Sequence, residues 1–109
     1  MKLDPYKKEA VFLKVAKITK LEPKGVVLAL VEVSINDVVT IKGFKVLQED
    51  GVREVAGPTM RNKADNSISS TVIFSDQAIE KQLSFIILAA YLKLLQQEEL
   101  TGRLKMGEL

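Results

Sequence analysis

The side chains that could do chemistry in this 109-residue chain are lysines, arginines and carboxylates, because it contains no cysteine and no histidine. That absence removes thiol nucleophiles, disulfides, Cys/His zinc sites and imidazole bases together. The carboxylates offer little: Asn36-Asp37 and Glu49-Asp50 are turn residues, and neither pair has a partner that would make it an acid/base couple. No GxxxxGK phosphate loop occurs. What remains is positive charge. Arg61 and Lys63 lie in the polar stretch Thr59 to Asn66, where an arginine fork and a lysine point charge suit phosphate oxygens; the competing reading is a loop that simply carries solvated charges. Lys14, Lys17, Lys20 and Lys24 form a second set, either a basic stripe or a solubilising face. Tyr91 could stack on a base, yet its helical spacing puts it in the core, and Lys93 among leucines would snorkel its charge to water. Catalysis, a cofactor, a bound metal and a small-molecule substrate are accordingly not expected.

Charge is distributed unevenly. The chain carries a net +2, but residues 1–25 hold seven lysines against Asp4, Glu9 and Glu22, whereas residues 76–99 hold Lys81 and Lys93 against Asp76, Glu80, Glu98 and Glu99. The basic end could meet phosphates; the acidic segment would repel them. Apolar content of 47% argues for a folded domain with one modest core. The opening residues Met1 to Glu9 lack the apolar run of a signal peptide. The run Leu83 to Leu95, interrupted by Ser84 and Lys93, is shorter than the ~20 residues needed to span a bilayer. A cytoplasmic address and no membrane association are expected.

These charges must be positioned by a scaffold, and its strongest signal is Ser75 to Leu95. Ile79, Leu83, Ile86, Ile87, Ala90 and Leu94 recur at steps of three and four, the stripe of an α-helix. Phe85, Leu88, Leu92 and Leu95 fill most of its other side. A helix apolar nearly all round is buried nearly all round. A chain this short covers only one face, so those four residues are expected to form a dimer interface.

Upstream, Val11 to Leu21 fits a helix or a strand equally by pattern. Glu22-Pro23-Lys24-Gly25 is a turn by its chemistry. Val26 to Ile35 reads as a strand apolar on both faces, Asn36-Asp37 as a hairpin turn, and Val38 to Leu47 as the returning strand, with Gly43 a bulge or close contact. Glu49-Asp50-Gly51 turns into a short strand, Val52 to Ala56, that stops at Gly57-Pro58. Thr59 to Asn66 is expected to be an exposed loop, Ser67 to Phe74 a last strand, and Ser75 the helix cap. Thr101-Gly102 closes the folded part, giving one domain over residues 1–102 and a loose tail over 103–109. Strands first and one long helix last define an α+β class: a mostly antiparallel meander of four to five strands followed by a C-terminal helix.

In this order of elements, Ile18-Thr19-Lys20-Leu21-Glu22-Pro23-Lys24-Gly25, the apolar strand, the Asn36-Asp37 turn, the Ile41 to Leu47 strand, Val55-Ala56-Gly57-Pro58-Thr59-Met60-Arg61 and the helical Ala89-Ala90-Tyr91 resemble the stage V sporulation protein G (SpoVG, septation regulator) family. The resemblance turns the ambiguous first segment into a strand. It implies a small cytoplasmic regulator that dimerises and binds DNA or RNA without catalysis. Arg61 stands at the family's loop arginine and Lys45 at a basic position of the third strand. The match is partial: Met60 replaces a loop lysine, Lys42-Gly43 a His-Asp pair, and Glu54 and Gly57 a Phe and a Met. Where the family is basic at the helix start, this chain has Asp76, Gln77, Glu80, Lys81 and Gln82. Nucleic-acid contact is therefore expected from Arg61, Lys63, Lys42, Lys45, Lys20 and Lys24, in a homodimer or higher homo-oligomer. The alternative expectation is an oligomeric protein-interaction module that has kept the fold and lost the basic surface.

Overall fold

The computed structural model describes residues 10–22 and 25–107. Strands β1 (Leu13–Lys20), β2 (Val27–Ile35), β3 (Val39–Glu49) and β4 (Val52–Ala56) form an antiparallel four-stranded sheet in chain order. Among the described residues, strands β5 (Thr59–Arg61) and β6 (Ile68–Ser70) pair only with each other, and helix α1 (Gln77–Gly107) follows. The α+β class and the meander are as the sequence implies.

The turns hold the register. Asn36 and Asp37 both take positive φ, 53° and 54°, and Val38 N–H donates to the Ile35 carbonyl at 3.0 Å. Such a turn matches the twist of the strands it joins. Asn36 also clamps the incoming chain: its Oδ1 accepts from Phe12 N–H at 2.6 Å, and its own N–H donates to the Phe12 carbonyl at 2.8 Å. Asp50 and Gly51, at φ 52° and 79°, make the next hairpin. Gly43, at φ +102°, lies where the β2–β3 register shifts, so the expected bulge is present.

One face of the sheet meets the helix. Ala29, Val31, Val33, Phe44 and Val46 from the strands and Leu83, Ile87 and Tyr91 from α1 are all at most 4% exposed. Each fully buried large side chain among them contributes about 1.5–3 kcal/mol. Half-buried Val15, Ile18, Ile41, Val55, Ile86, Leu88 and Leu95 pack around that centre.

Four expectations are corrected. Leu88 and Leu95, assigned to a dimer face, lie against the core, whereas Phe85 and Leu92 are 73% and 48% exposed. The core stripe is thus wider than the steps from Ile79 to Leu94 suggest, and the outer stripe narrower. The helix cap is Asp76 rather than Ser75: its Oδ1 accepts from Ala78 N–H at 2.9 Å, and its carbonyl accepts from Glu80 N–H at 3.3 Å. Thr59 to Arg61 is a strand, and the expected last strand shrinks to Ile68–Ser70. Beyond it, Val72 and Phe74 alternate inward onto the core without a ladder partner, so burial, not pairing, produced their pattern. Finally, α1 runs past Thr101-Gly102 to Gly107.

Candidate nucleic-acid interface

Antiparallel partners share a sheet face, so register decides which cations converge. Ala29–Val46, Val31–Phe44 and Val33–Ile41 define the helix side. The pairs Lys17–Glu32, Lys14–Ser34, Thr19–Leu30 and Leu30–Lys45 therefore look the other way. On that open face a cleft of about 240 Å³ is lined by Thr19, Leu30, Val31, Glu32, Lys42 and Gly43. Lys42 and Lys45 thus share the open face with Lys14 and Lys17. Glu32 sits among them, and Lys14 is paired with Asp37 at 2.5 Å.

The ribbon of β5 and β6 departs from beside this face. A Cβ placed on Gly43 would lie 3.2 Å from the Pro58 Cβ, so the peptide after Lys42 abuts the base of the ribbon. Thr71 fastens the other strand to the same point, its N–H and Oγ1 donating to the Pro58 carbonyl at 3.0 and 3.2 Å. The tip is held by its own polar side chains. Asn62 Oδ1 accepts from Ala64 N–H at 2.9 Å, and Asp65 Oδ1 accepts from Ser67 N–H and Oγ at 3.0 and 2.7 Å. The two Ser67 donors hold the Asp65 carboxyl below its ordinary value. Arg61 Nη1 donates to Asn66 Oδ1 at 3.1 Å, and Asn66 takes φ 63° to close the turn. Arg61 and Lys63 are both exposed on this braced tip.

Lys20 does not join them. The register shift between Val15 and Lys17 turns the end of β1 over, pairing Lys20 with Ala29 on the helix side. There its Nζ donates to Glu98 Oε2 at 2.7 Å, an ion pair that raises the lysine pKa. A basic stripe of Lys14, Lys17 and Lys20 thus does not form. Lys24 lies outside the described residues.

Sequence reasoning missed the partners of three cations. Arg53 stands 5.3 Å from the centroid of the Tyr91 ring, a cation–π contact that joins β4 to the helix. The shared parity of Arg53 with half-buried Val55 was the available signal. Nothing short of the fold announces Lys20–Glu98 or Lys14–Asp37. At the helix start, Asp76 and Glu80 keep the first turn acidic, which suits the positive end of the helix dipole and opposes a phosphate. Among the described residues, no helix is long and apolar enough to cross a membrane. No protein-family model matches the chain, and comparison with curated proteins finds no match.

Proposed function

We propose that the protein is a non-enzymatic, homodimeric nucleic-acid-binding regulator of the SpoVG type, acting in the cytoplasm in septation- or sporulation-type gene control. One observation carries the reading. The ribbon bearing Arg61 and Lys63 is braced at Pro58 against Gly43, the chain neighbour of Lys42, and Lys42 shares the open face of the sheet with Lys45. Two cations on the ribbon and two on the open face of the sheet suit the phosphate backbone, and such contacts fix orientation without reading sequence. Their number is modest, so a dimer that engages two such sets on one ligand gains through effective concentration. DNA and RNA offer the same backbone chemistry. Fluorescence anisotropy with duplex DNA, single-stranded DNA and RNA tests the proposal. Binding should weaken at least tenfold when Arg61 and Lys63 become alanine, and again when Lys42 and Lys45 do. Equal binding by the parent and the fourfold variant would overturn it.

A second reading has its own support. Lys20 and Lys14 already face carboxylates, and the first helical turn is acidic. An oligomeric protein-interaction module fits those features. It predicts a partner complex unchanged by nuclease and no measurable affinity for any of the three oligonucleotides.

A further inference from the structure

We propose that the β5–β6 ribbon lies in the major groove of duplex DNA, with the face shared by Arg61 and Ile68 turned to the base edges and Ile68 seated on a thymine methyl. This rests on the nucleic-acid reading above and deepens it from contact with any backbone to one groove and one base.

The ribbon buries nothing, and that is the starting observation. Every residue from Thr59 to Thr71 is exposed, Met60 and Ile68 by 61% and 60%. A hairpin that gives no side chain to a core is marginal by itself. This one is nevertheless fixed at both ends. Thr71 ties its base to the Pro58 carbonyl, and backbone bonds from Asn62 N–H to the Ser67 carbonyl at 2.8 Å and from Asn66 N–H to the Asn62 carbonyl at 2.7 Å carry the pairing into the tip. With the side-chain bonds of Arg61, Asn62 and Asp65, the result is a stiff two-stranded finger whose order no packing requires.

Its shape selects the groove. Paired strands lie about 4.8 Å apart. With its van der Waals envelope, a two-stranded ribbon fits a B-DNA major groove of ~12 Å but not a minor groove of ~6 Å. The major groove of A-form RNA is too narrow and deep for side chains to read. A single strand is held by aromatic stacking, and residues 59–71 include no Phe, Tyr or Trp.

Register selects the face. Thr59 pairs with Ser70 and Arg61 with Ile68, so alternation puts these four side chains together and leaves Met60 and Ser69 on the reverse. The ribbon carries Arg61 and Lys63 against Asp65, whose carboxylate is already turned to Ser67 N–H and Oγ. Arg61 brings its face toward a polyanion, and Ile68 comes with it. The bond from Arg61 Nη1 to Asn66 Oδ1 at 3.1 Å draws the guanidinium toward the tip, where it and Lys63 meet the phosphates at the groove wall. Thr59, Ile68 and Ser70 are left facing the floor: two small hydroxyls and one exposed, branched apolar group. Among the groups that ordinary base pairs present there, the thymine methyl is the apolar one. Ile68 therefore determines specificity, and the cations do not.

Replacing thymine by uracil removes that methyl and leaves every phosphate in place. Affinities of the full chain are measured for an alternating dA·dT duplex, its deoxyuridine counterpart and an alternating A·U RNA duplex of equal length. The proteins are the parent, Ile68→Ala and Met60→Ala; both positions are exposed, and circular dichroism checks that each variant folds. The parent should bind the thymine duplex at least threefold more tightly than the uracil duplex, and the RNA more weakly still. Ile68→Ala should erase the thymine preference without changing the salt dependence of binding, and Met60→Ala should keep it. Equal affinity of the parent for the thymine and uracil duplexes, or RNA bound as tightly as DNA, would overturn the groove placement and leave the backbone proposal standing. A thymine preference that survives Ile68→Ala and is lost in Met60→Ala would overturn the face assigned to the bases. Absence of binding to all three duplexes would overturn both proposals.

Discussion

Gly43 is the point at which the sheet and the basic ribbon meet, and three glycine-to-alanine variants can separate what that contact is worth. At Gly43 the backbone sits at φ +102°, and an added Cβ would come within 3.2 Å of the Pro58 Cβ. Alanine there meets two costs: a conformation that L side chains rarely adopt, about 1–3 kcal/mol, and a contact tight enough that the ribbon base must shift. At Gly51, φ is +79° with nothing within 4 Å, so only the backbone cost applies, about 1–2 kcal/mol. At Gly25 there is open space and no positive φ, so alanine should be neutral or stabilise by about 0.4–1 kcal/mol through the unfolded chain. The expected order of stability is Gly25→Ala, then Gly51→Ala, then Gly43→Ala. A loss of ~2 kcal/mol at Gly43 would lower Tm by about 8–16 °C in a domain of this size. Thermal unfolding at one fixed protein concentration measures this, the fixed concentration removing any contribution from association. Gly43→Ala should also weaken oligonucleotide binding, although it removes no charge. A Gly43→Ala protein as stable as Gly25→Ala would refute the abutment of ribbon and sheet.

Asp76→Ala should cost about 1 kcal/mol in urea unfolding by removing the acceptor for Ala78 N–H, while Ser75→Ala changes stability little; the reverse order would restore Ser75 as the cap. The Asp65 carboxyl titrates below its ordinary value of 3.8 because Ser67 donates to it twice. A pKa depressed by folding gives order that is present above the unfolded pKa and lost as pH falls through the lower folded one. Tip resonances should therefore hold down to about pH 4 and change below it, and Ser67→Ala should raise the Asp65 midpoint in an NMR titration.

The sheet was legible because its turns are chemically explicit. Asn36-Asp37 and Asp50-Gly51 adopt the positive φ their residue types favour, and Gly43 marks the bulge. The helix was legible too, but which of its apolar residues faces outward was not: Phe85 and Leu88 are equally greasy, and only the sheet shows that Leu88 leans on the core while Phe85 does not. The ribbon escaped detection since Thr59 to Arg61 has no apolar period, its pairing with Ile68–Ser70 being made by backbone bonds and a polar tip. Among the nominated cations, Arg61 and Lys63 are exposed as their polar surroundings suggest, and Lys42 and Lys45, three residues apart, share a face because the Gly43 bulge offsets the alternation along β3. Lys20 was misplaced by the register shift between Val15 and Lys17, which a one-dimensional period cannot reveal.

The most direct test of backbone recognition by these cations is the slope of log affinity against log salt for duplex DNA, measured on the parent chain. Four contacts from each of two protomers give a slope of about −7 at ~0.9 per phosphate neutralised, falling to about −4 when Arg61 and Lys63 are replaced by alanine. A slope near zero, or one that the two substitutions leave unchanged, would contradict it.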